Sequence, residues 1–278
     1  MRISLLDRLL RRRRPLAEAA AEAASCAPHG VSPGGDETMR GGEWSSLRLA
    51  QAEALWGEGF LWPGGAAEIK RLTAPFGLSP AHSLLMVGIG AGGPARAIAG
   101  DLGSWVSGFE ADPALVEVAQ RRIQRAAVAQ AKRATIAAWD PTAPAFAARG
   151  FHHGLLLDVL DQGDPVTILG AAVRAIKQGG QIMVVQSVIG PADTAMERTI
   201  RVALAALGCD MRLVEDESDR HARQVLKGWK SMLRQLRGIR PSAAEAEALV
   251  REAAFWLFRL RRIREREIRL LRWGAIVT

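Results

Sequence analysis

Between Ser83 and Ser187 the chain alternates short apolar runs with longer segments whose apolar residues recur every three or four positions. The runs SLLMVGIG (83–90), WVSGFEAD (105–112), ATIAAWD (134–140), GLLLDVL (154–160) and QIMVVQSV (181–188) read as strands. The first of them is nearly continuous, as suits a strand buried on both faces of a parallel sheet. PARAIAGDL (94–102), PALVEVAQRRIQRAAVAQAK (113–132) and PVTILGAAVRAIKQ (165–178) read as helices. Pro94 and Pro113 sit at first turns. Gly179 and Gly180 read as the stop of the third helix. Strand and helix in alternation require right-handed crossovers and a sheet covered on both faces. A helix over 194–207, a strand MRLVEDE (211–217), two helices near 219–236 and 242–262, and a last strand EIRLLRWGAIV (267–277) complete the pattern. Helical segments at 47–57 and 65–76 precede it. The expected fold class is α/β: a doubly wound, mostly parallel seven-stranded sheet with extra C-terminal helices.

Residues 15–43 are rich in Ala, Gly, Pro and Ser and read as a linker, with an Ala-rich helix at 15–25. The expected organisation is a flexible basic tail over 1–43 and one domain over 44–278. Its core spans 83–216, and its C-terminal helices and last strand span 217–278. The opening MRISLLDRLLRRRRPL lacks a long apolar stretch and a cleavage site, so it is not read as a secretory signal. Leu5, Leu6, Leu9 and Leu10 share one side of a short basic helix there, suited to a membrane surface or a partner protein.

Composition narrows the class. Of 278 residues 49% are hydrophobic, enough for a sizeable core. The 37 Lys and Arg against 29 Asp and Glu give a net charge of +8, concentrated at Arg11–Arg14 and between Arg251 and Arg272. No nucleic-acid motif accompanies that charge, so a solvated face is expected and nucleic acid is not. Phe255, Trp256 and Phe258 among the C-terminal arginines read as the buried stripe of a helix whose arginines face water. Cys26 and Cys209 lack metal-ligand spacing, which fits a reducing, cytoplasmic setting with no metal.

The candidate chemistry lies at strand ends, where ligands of such sheets bind. Gly88, Gly90, Gly92 and Gly93 make the turn after the first strand, and the next helix presents free N–H groups at Pro94. A tight turn without ligand would use the same glycines. Glu110 ends the second strand, 20 residues beyond Gly90, where a carboxylate accepts from a ribose diol. Trp139 and Asp140 end the third strand, placing a ring surface and an acceptor for an adenine amino group; Asp140–Pro141 is also simple turn chemistry. His152 and His153 start the fourth strand, at the opposite end from this site, and read as structural.

Gly88-x-Gly90-x-x-Gly93 matches the dinucleotide fingerprint, which leaves a nicotinamide-dependent oxidoreductase open. No Tyr-x-x-x-Lys pair accompanies it. The same glycines resemble the first motif of class I S-adenosylmethionine-dependent methyltransferases. GFEADPALVEVAQRR (108–122) resembles that family's second strand and following helix, WDPTAPAF (139–146) its acidic loop, and AAVRAIKQGGQIMVV (171–185) its helix, Gly-Gly turn and fifth strand. LWGEGFLWPGG (55–65) resembles a segment preceding the core in the phosphoethanolamine and sarcosine/dimethylglycine branch. The resemblance implies a Rossmann-like methyltransferase fold. It implies that Gly88, Gly90 and Gly92 line the cofactor S-adenosylmethionine, Glu110 its ribose and Trp139 and Asp140 its adenine. Gly64 and Gly65 would close over its methionine end. Asp158 and Asp161 would line a pocket for a small-molecule or lipid acceptor; a solvated loop is the plainer reading of these two.

Two departures stand out. Met86 occupies the place of an acid that in many members holds the cofactor's amino group, so Met86→Asp is expected to strengthen cofactor binding. The chain has no tyrosine, the residue the phosphobase enzymes use around their acceptor. The enzyme reading therefore stands beside that of an inactive, methyltransferase-like partner protein.

Overall fold

The first apolar run forms β1 (Ser83–Val87), which pairs in parallel with β2 (Trp105–Glu110) on one side and β4 (Phe151–Leu157) on the other. This is a computed structural model, and it describes residues 43–278 apart from residue 239. β3 (Ala134–Ala138) lies beyond β2, and β5 (Ile176–Ile189) beyond β4, all parallel. β7 (Ile268–Val277) is inserted antiparallel between β5 and β6 (Cys209–Asp216). The order is β3-β2-β1-β4-β5-β7-β6. Strand order reverses between β1 and β4, which opens a crevice at their carboxyl ends.

The period of two along β1 sorts its side chains onto opposite faces. Leu84 and Met86 join one apolar cluster, and Leu85 and Val87 join the other. The first cluster receives Trp56 from α1 (Ser46–Trp56), Ile69 from α2 (Gly65–Thr73), Ile98 from α3 (Gly93–Asp101) and Ile123 from α4 (Pro113–Arg125). A short α5 (Val128–Ala131) follows α4. The second cluster receives Ile168 from α6 (Pro165–Ala175) and Ile200 from α7 (Ala195–Ala206). Val225 of α8 (Ser218–Gln235) and Trp256 of α9 (Ala243–Arg264) return to the first. Each fully buried Leu or Ile here stabilises by roughly 1.5–3 kcal/mol. Side-chain caps fix several helix starts: Asp112 accepts from the Ala114 and Leu115 N–H groups, and Thr194 and Ser242 form capping boxes with Glu197 and Glu245.

Several sequence expectations are corrected. The helix expected over 165–178 ends at Ala175, because Ile176 already pairs with Phe151 of β4. Gly179 and Gly180 lie in a bulge of β5, between the pairs Phe151↔Ile176 and His153↔Gln181. A Cβ on Gly180 would stand 2.2 Å from the His152 carbonyl oxygen, so the glycine serves the bulge and not a helix stop. The helix expected over 113–132 is interrupted, with Ala126 in an extended conformation (φ −69°, ψ 165°), and no sequence signal marks the break. On α9 the expected stripe is only partly right. Trp256 is buried, but Phe258 is 44% exposed while Arg259 is buried. Met86 is 0% exposed within the first cluster, so an acid there would enter an apolar core. His152 and His153 sit at the start of β4, where Ser83 N–H donates to His152 Nδ1 (3.0 Å) and the His153 ring stacks on Phe76. The basic N-terminal helix, the 15–25 helix and Cys26 lie outside the described residues. Glu43–Thr278 forms one compact unit.

Candidate functional site

The chain leaves β1 through Gly88 (φ 83°), Gly90 (φ 58°) and Gly92 (φ 89°) and enters α3. These are left-handed conformations that glycine adopts without penalty. Space is also short: a Cβ on Gly88 would lie 2.4 Å from the Leu157 carbonyl oxygen at the end of β4. The turn is therefore packed against β4 and bonded to β2. Gly88 N–H donates to the Phe109 carbonyl at 2.9 Å.

Glu110 is 7% exposed at the end of β2. Its Oε2 accepts the Gly90 N–H at 2.7 Å, and its Oε1 accepts from Ala111 (2.9 Å) and Asp112 (3.3 Å). Burial raises its pKa, and these three N–H groups oppose the rise. An ionised carboxylate offers about four acceptor positions, so capacity remains on Oε2 for one more donor. The Glu110 carbonyl accepts the Trp139 N–H at 3.2 Å. Trp139 is buried and lies 6.0 Å from Phe146, which meets Phe109 edge-on at 4.9 Å. Phe146 was not singled out in the sequence. Gly88, Gly90, Glu110 and Trp139 thus form one continuous patch. Asp140 is exposed, and its Oδ1 takes the Thr142 hydroxyl (2.7 Å) and N–H (2.8 Å), which lower its pKa. It caps a turn.

The segment between α1 and α2 lies directly on this turn. Gly59 carbonyl accepts the Gly93 N–H at 2.9 Å, and Leu61 packs on Gly90 so closely that a Cβ there would meet it at 2.8 Å. Glu53 Oε1 accepts the Gly59 N–H (2.9 Å) and pairs with Arg122 of α4. Gly90 is buried beneath Leu61, and Gly92 is buried against Ala119 of α4. Gly64 caps α2, and Gly65 sits beneath the Trp56 carbonyl, where a Cβ would come within 2.1 Å. Local packing accounts for both of these glycines. The residues that reach the turn, Gly59 and Leu61, had no signal beyond their place in a glycine-rich stretch.

Asp158 follows β4 with φ 53°. It is not in a solvated loop. Its Oδ1 accepts the Ser187 N–H at 2.6 Å, its Oδ2 accepts the Ser187 hydroxyl at 2.9 Å, and Arg259 of α9 stands 3.5 Å away. Burial raises the Asp158 pKa, and Arg259 opposes it. Asp161 is exposed, with Gln186 Nε2 3.5 Å from its Oδ1. Asp158 and Asp161 therefore face β5 partners, not the glycine turn.

No family model matches the sequence. A phosphoethanolamine N-methyltransferase 2 of Caenorhabditis elegans is 25% identical over 144 residues, 51% of this chain and 32% of the worm protein. The solved structure of Haemonchus contortus phosphoethanolamine N-methyltransferase 2 in complex with S-adenosyl-L-methionine superposes with a TM-score of 0.73 at 20% identity, covering 90% of this chain and 61% of that one. The cyclase SpnF superposes at 0.65 with 17% identity, covering 83% and 92%. The chain shares the fold of these methyltransferase and cyclase structures. This chain spans about a third of the curated worm relative and about three-fifths of the Haemonchus chain.

Within the methyltransferase fold, the carboxyl end of β5 and the start of β7 border a second group of polar residues. A cavity of about 10 Å³ is lined by Trp62, Glu68, Arg71, Glu217, His221 and Gln224, room for roughly one water. Its charges are paired internally: Glu68 with Arg71 (2.6 Å) and Arg220 (2.8 Å), Glu217 with Arg71 (2.9 Å) and Arg272 (3.0 Å). His221 is buried, its Nε2 has no hydrogen-bond partner among the described residues, and burial followed by the nearby Arg259 charge pushes its pKa down to about 3. The ring stays neutral at physiological pH.

Proposed function

We propose that this chain binds S-adenosylmethionine over the β1–α3 turn and transfers its methyl group to a small-molecule or lipid acceptor. The observation that carries the reading is Glu110: buried at the end of β2, bonded to the second glycine, and with acceptor capacity left on Oε2. That acceptor suits the hydroxyl donors of a ribose diol. Gly88, Gly90 and Gly92 give backbone without side chains beside it. Trp139, backed by Phe146, supplies a ring surface on the adenine side, and Asp140 is the acceptor there. By resemblance Gly64 and Gly65 would lie on the methionine side and Asp158 and Asp161 beside the acceptor, although packing already holds the two glycines and Ser187 and Arg259 already hold Asp158. Bound there, S-adenosylmethionine supplies a methyl group on sulfur already activated for displacement. The chain's own part is to orient the acceptor lone pair and exclude water, and the 59–61 segment over the turn serves the second task. The sheet is read as doubly wound and the protein as cytoplasmic. The basic N-terminal segment, outside the described residues, is read as contacting a membrane surface or a partner protein.

A second reading is a cofactor-free partner protein. Leu61 pressed on Gly90, and apolar Met86 at the end of β1, favour it. The likeness to a cyclase adds that this fold does not dictate one reaction. Calorimetric titration with S-adenosylmethionine, S-adenosylhomocysteine and NAD separates the readings. Micromolar binding of the first two, and none of NAD, is the expected result. A folded protein that binds none of them would leave the partner-protein reading.

A further inference from the structure

The excess positive charge of this chain falls on a different element from the one its sequence emphasises. The arginines of α9 and the turn after it are largely neutralised: Arg251 pairs with Glu247, Arg261 with Glu265, Arg262 with Glu267 and Arg266 with Asp216. The stripe on α8 is not. Arg223, Lys227, Lys230 and Arg234 follow one another at helical spacing on the side opposite the buried His221, Val225, Gly228 and Met232. All four are exposed, and Arg237 and Arg240 continue beyond the helix end. None of the six is ion-paired among the described residues. At 1.5 Å per residue the four helical cations span about 17 Å.

Exposed apolar side chains accompany them. Leu226 lies beside Lys227 and is 58% exposed, and α9 turns Val250, Leu257 and Phe258 to solvent at 51%, 56% and 44%. The two helices touch and bury their inner faces in the same cluster.

We infer that the outer surface of α8 and α9 docks on an anionic phospholipid surface. Cations in a row meet lipid phosphates, and Leu226 of the same helix, with Leu257 and Phe258 of the adjoining α9, leaves water at the headgroup–acyl boundary. A nucleic-acid backbone would satisfy the cations but offer nothing to Leu226, Leu257 and Phe258. This surface is distinct from the N-terminal basic segment and does not depend on the methyltransferase reading.

The test is co-sedimentation of the full chain with vesicles of phosphatidylcholine alone or with phosphatidylglycerol added, beside titration with a short DNA duplex. Binding to the phosphatidylglycerol vesicles only, weakened by salt, is expected. The quadruple variant Arg223→Gln, Lys227→Gln, Lys230→Gln, Arg234→Gln should weaken it at least about tenfold, with unchanged circular dichroism. The variant Leu257→Ser, Phe258→Ser should weaken it as well, whereas neutralising Arg11–Arg14 should leave most of the binding. Absence of binding to anionic vesicles, a quadruple variant that binds like the parent, loss of binding with Arg11–Arg14 alone, or tighter binding of the duplex than of vesicles would each overturn the inference.

Discussion

Glu110 Oε2 accepts the Gly90 N–H at 2.7 Å, so one hydrogen bond ties the end of β2 to the second glycine of the β1–α3 turn. Removing the carboxylate affects the turn and any ligand over it together. Glu110→Ala orphans the N–H groups of Gly90, Ala111 and Asp112 and should destabilise by about 1–3 kcal/mol. It should also weaken S-adenosylmethionine binding at least about tenfold, read by calorimetry on the folded variant. Unchanged affinity would remove Glu110 from the cofactor site.

Gly90 is held at φ 58° with Leu61 against it. Gly90→Ala should cost about 1–2 kcal/mol from the backbone conformation alone, plus a contact cost. Leu61→Ala should relieve only the contact. A double-mutant cycle by urea unfolding should therefore show coupling of about 0.5 kcal/mol or more between the two. Simple additivity would mean that Leu61 yields freely.

Met86 redirects an expectation drawn from its alignment with an acid. Its side chain is 0% exposed among apolar neighbours. Met86→Asp should not tighten cofactor binding but lower stability by about 3 kcal/mol or more, because a carboxylate would be buried without a partner. Thermal unfolding reads this directly. A variant of parental stability that binds S-adenosylmethionine more tightly would show that position 86 reaches the ligand.

His221 makes stability depend on pH. Its pKa is about 3 in the fold against 6.5 for the free side chain. The unfolded chain therefore binds the proton first as pH falls. This contribution is fully present above about pH 6.5 and is lost progressively towards pH 3, by an amount on the order of a few kcal/mol. Unfolding by urea at pH 7, 5 and 4 should show a steep decline in the parent and a flatter one in His221→Gln. Equal slopes would mean that the ring is hydrated in solution.

Much of the sheet was legible because its signals are local. Continuous apolar runs, prolines at first turns and glycines at strand ends act within a few residues. That Glu110 ends the strand beside the glycine turn was legible through its spacing of 20 residues, but its hydrogen bond to the Gly90 N–H was not. Gly179 and Gly180 misled because a glycine pair serves a helix stop and a strand bulge equally well. The partners of Asp158 were not legible at all: Arg259 is 101 residues away and sits in a helix whose arginines otherwise face water.

The sequence by itself therefore determined the strands, the glycine turn and the acid that faces it, since backbone conformation and hydrophobic period are properties of short segments. Only the tertiary structure decided which arginines are buried (Arg259, Arg269 and Arg272), that Leu61 covers Gly90, and which cations on α8 are left without an ion pair among the described residues. Those outcomes depend on contacts between segments about 30 residues apart, as for Leu61 and Gly90, or 101 apart, as for Asp158 and Arg259, and no local pattern in either segment records its partner.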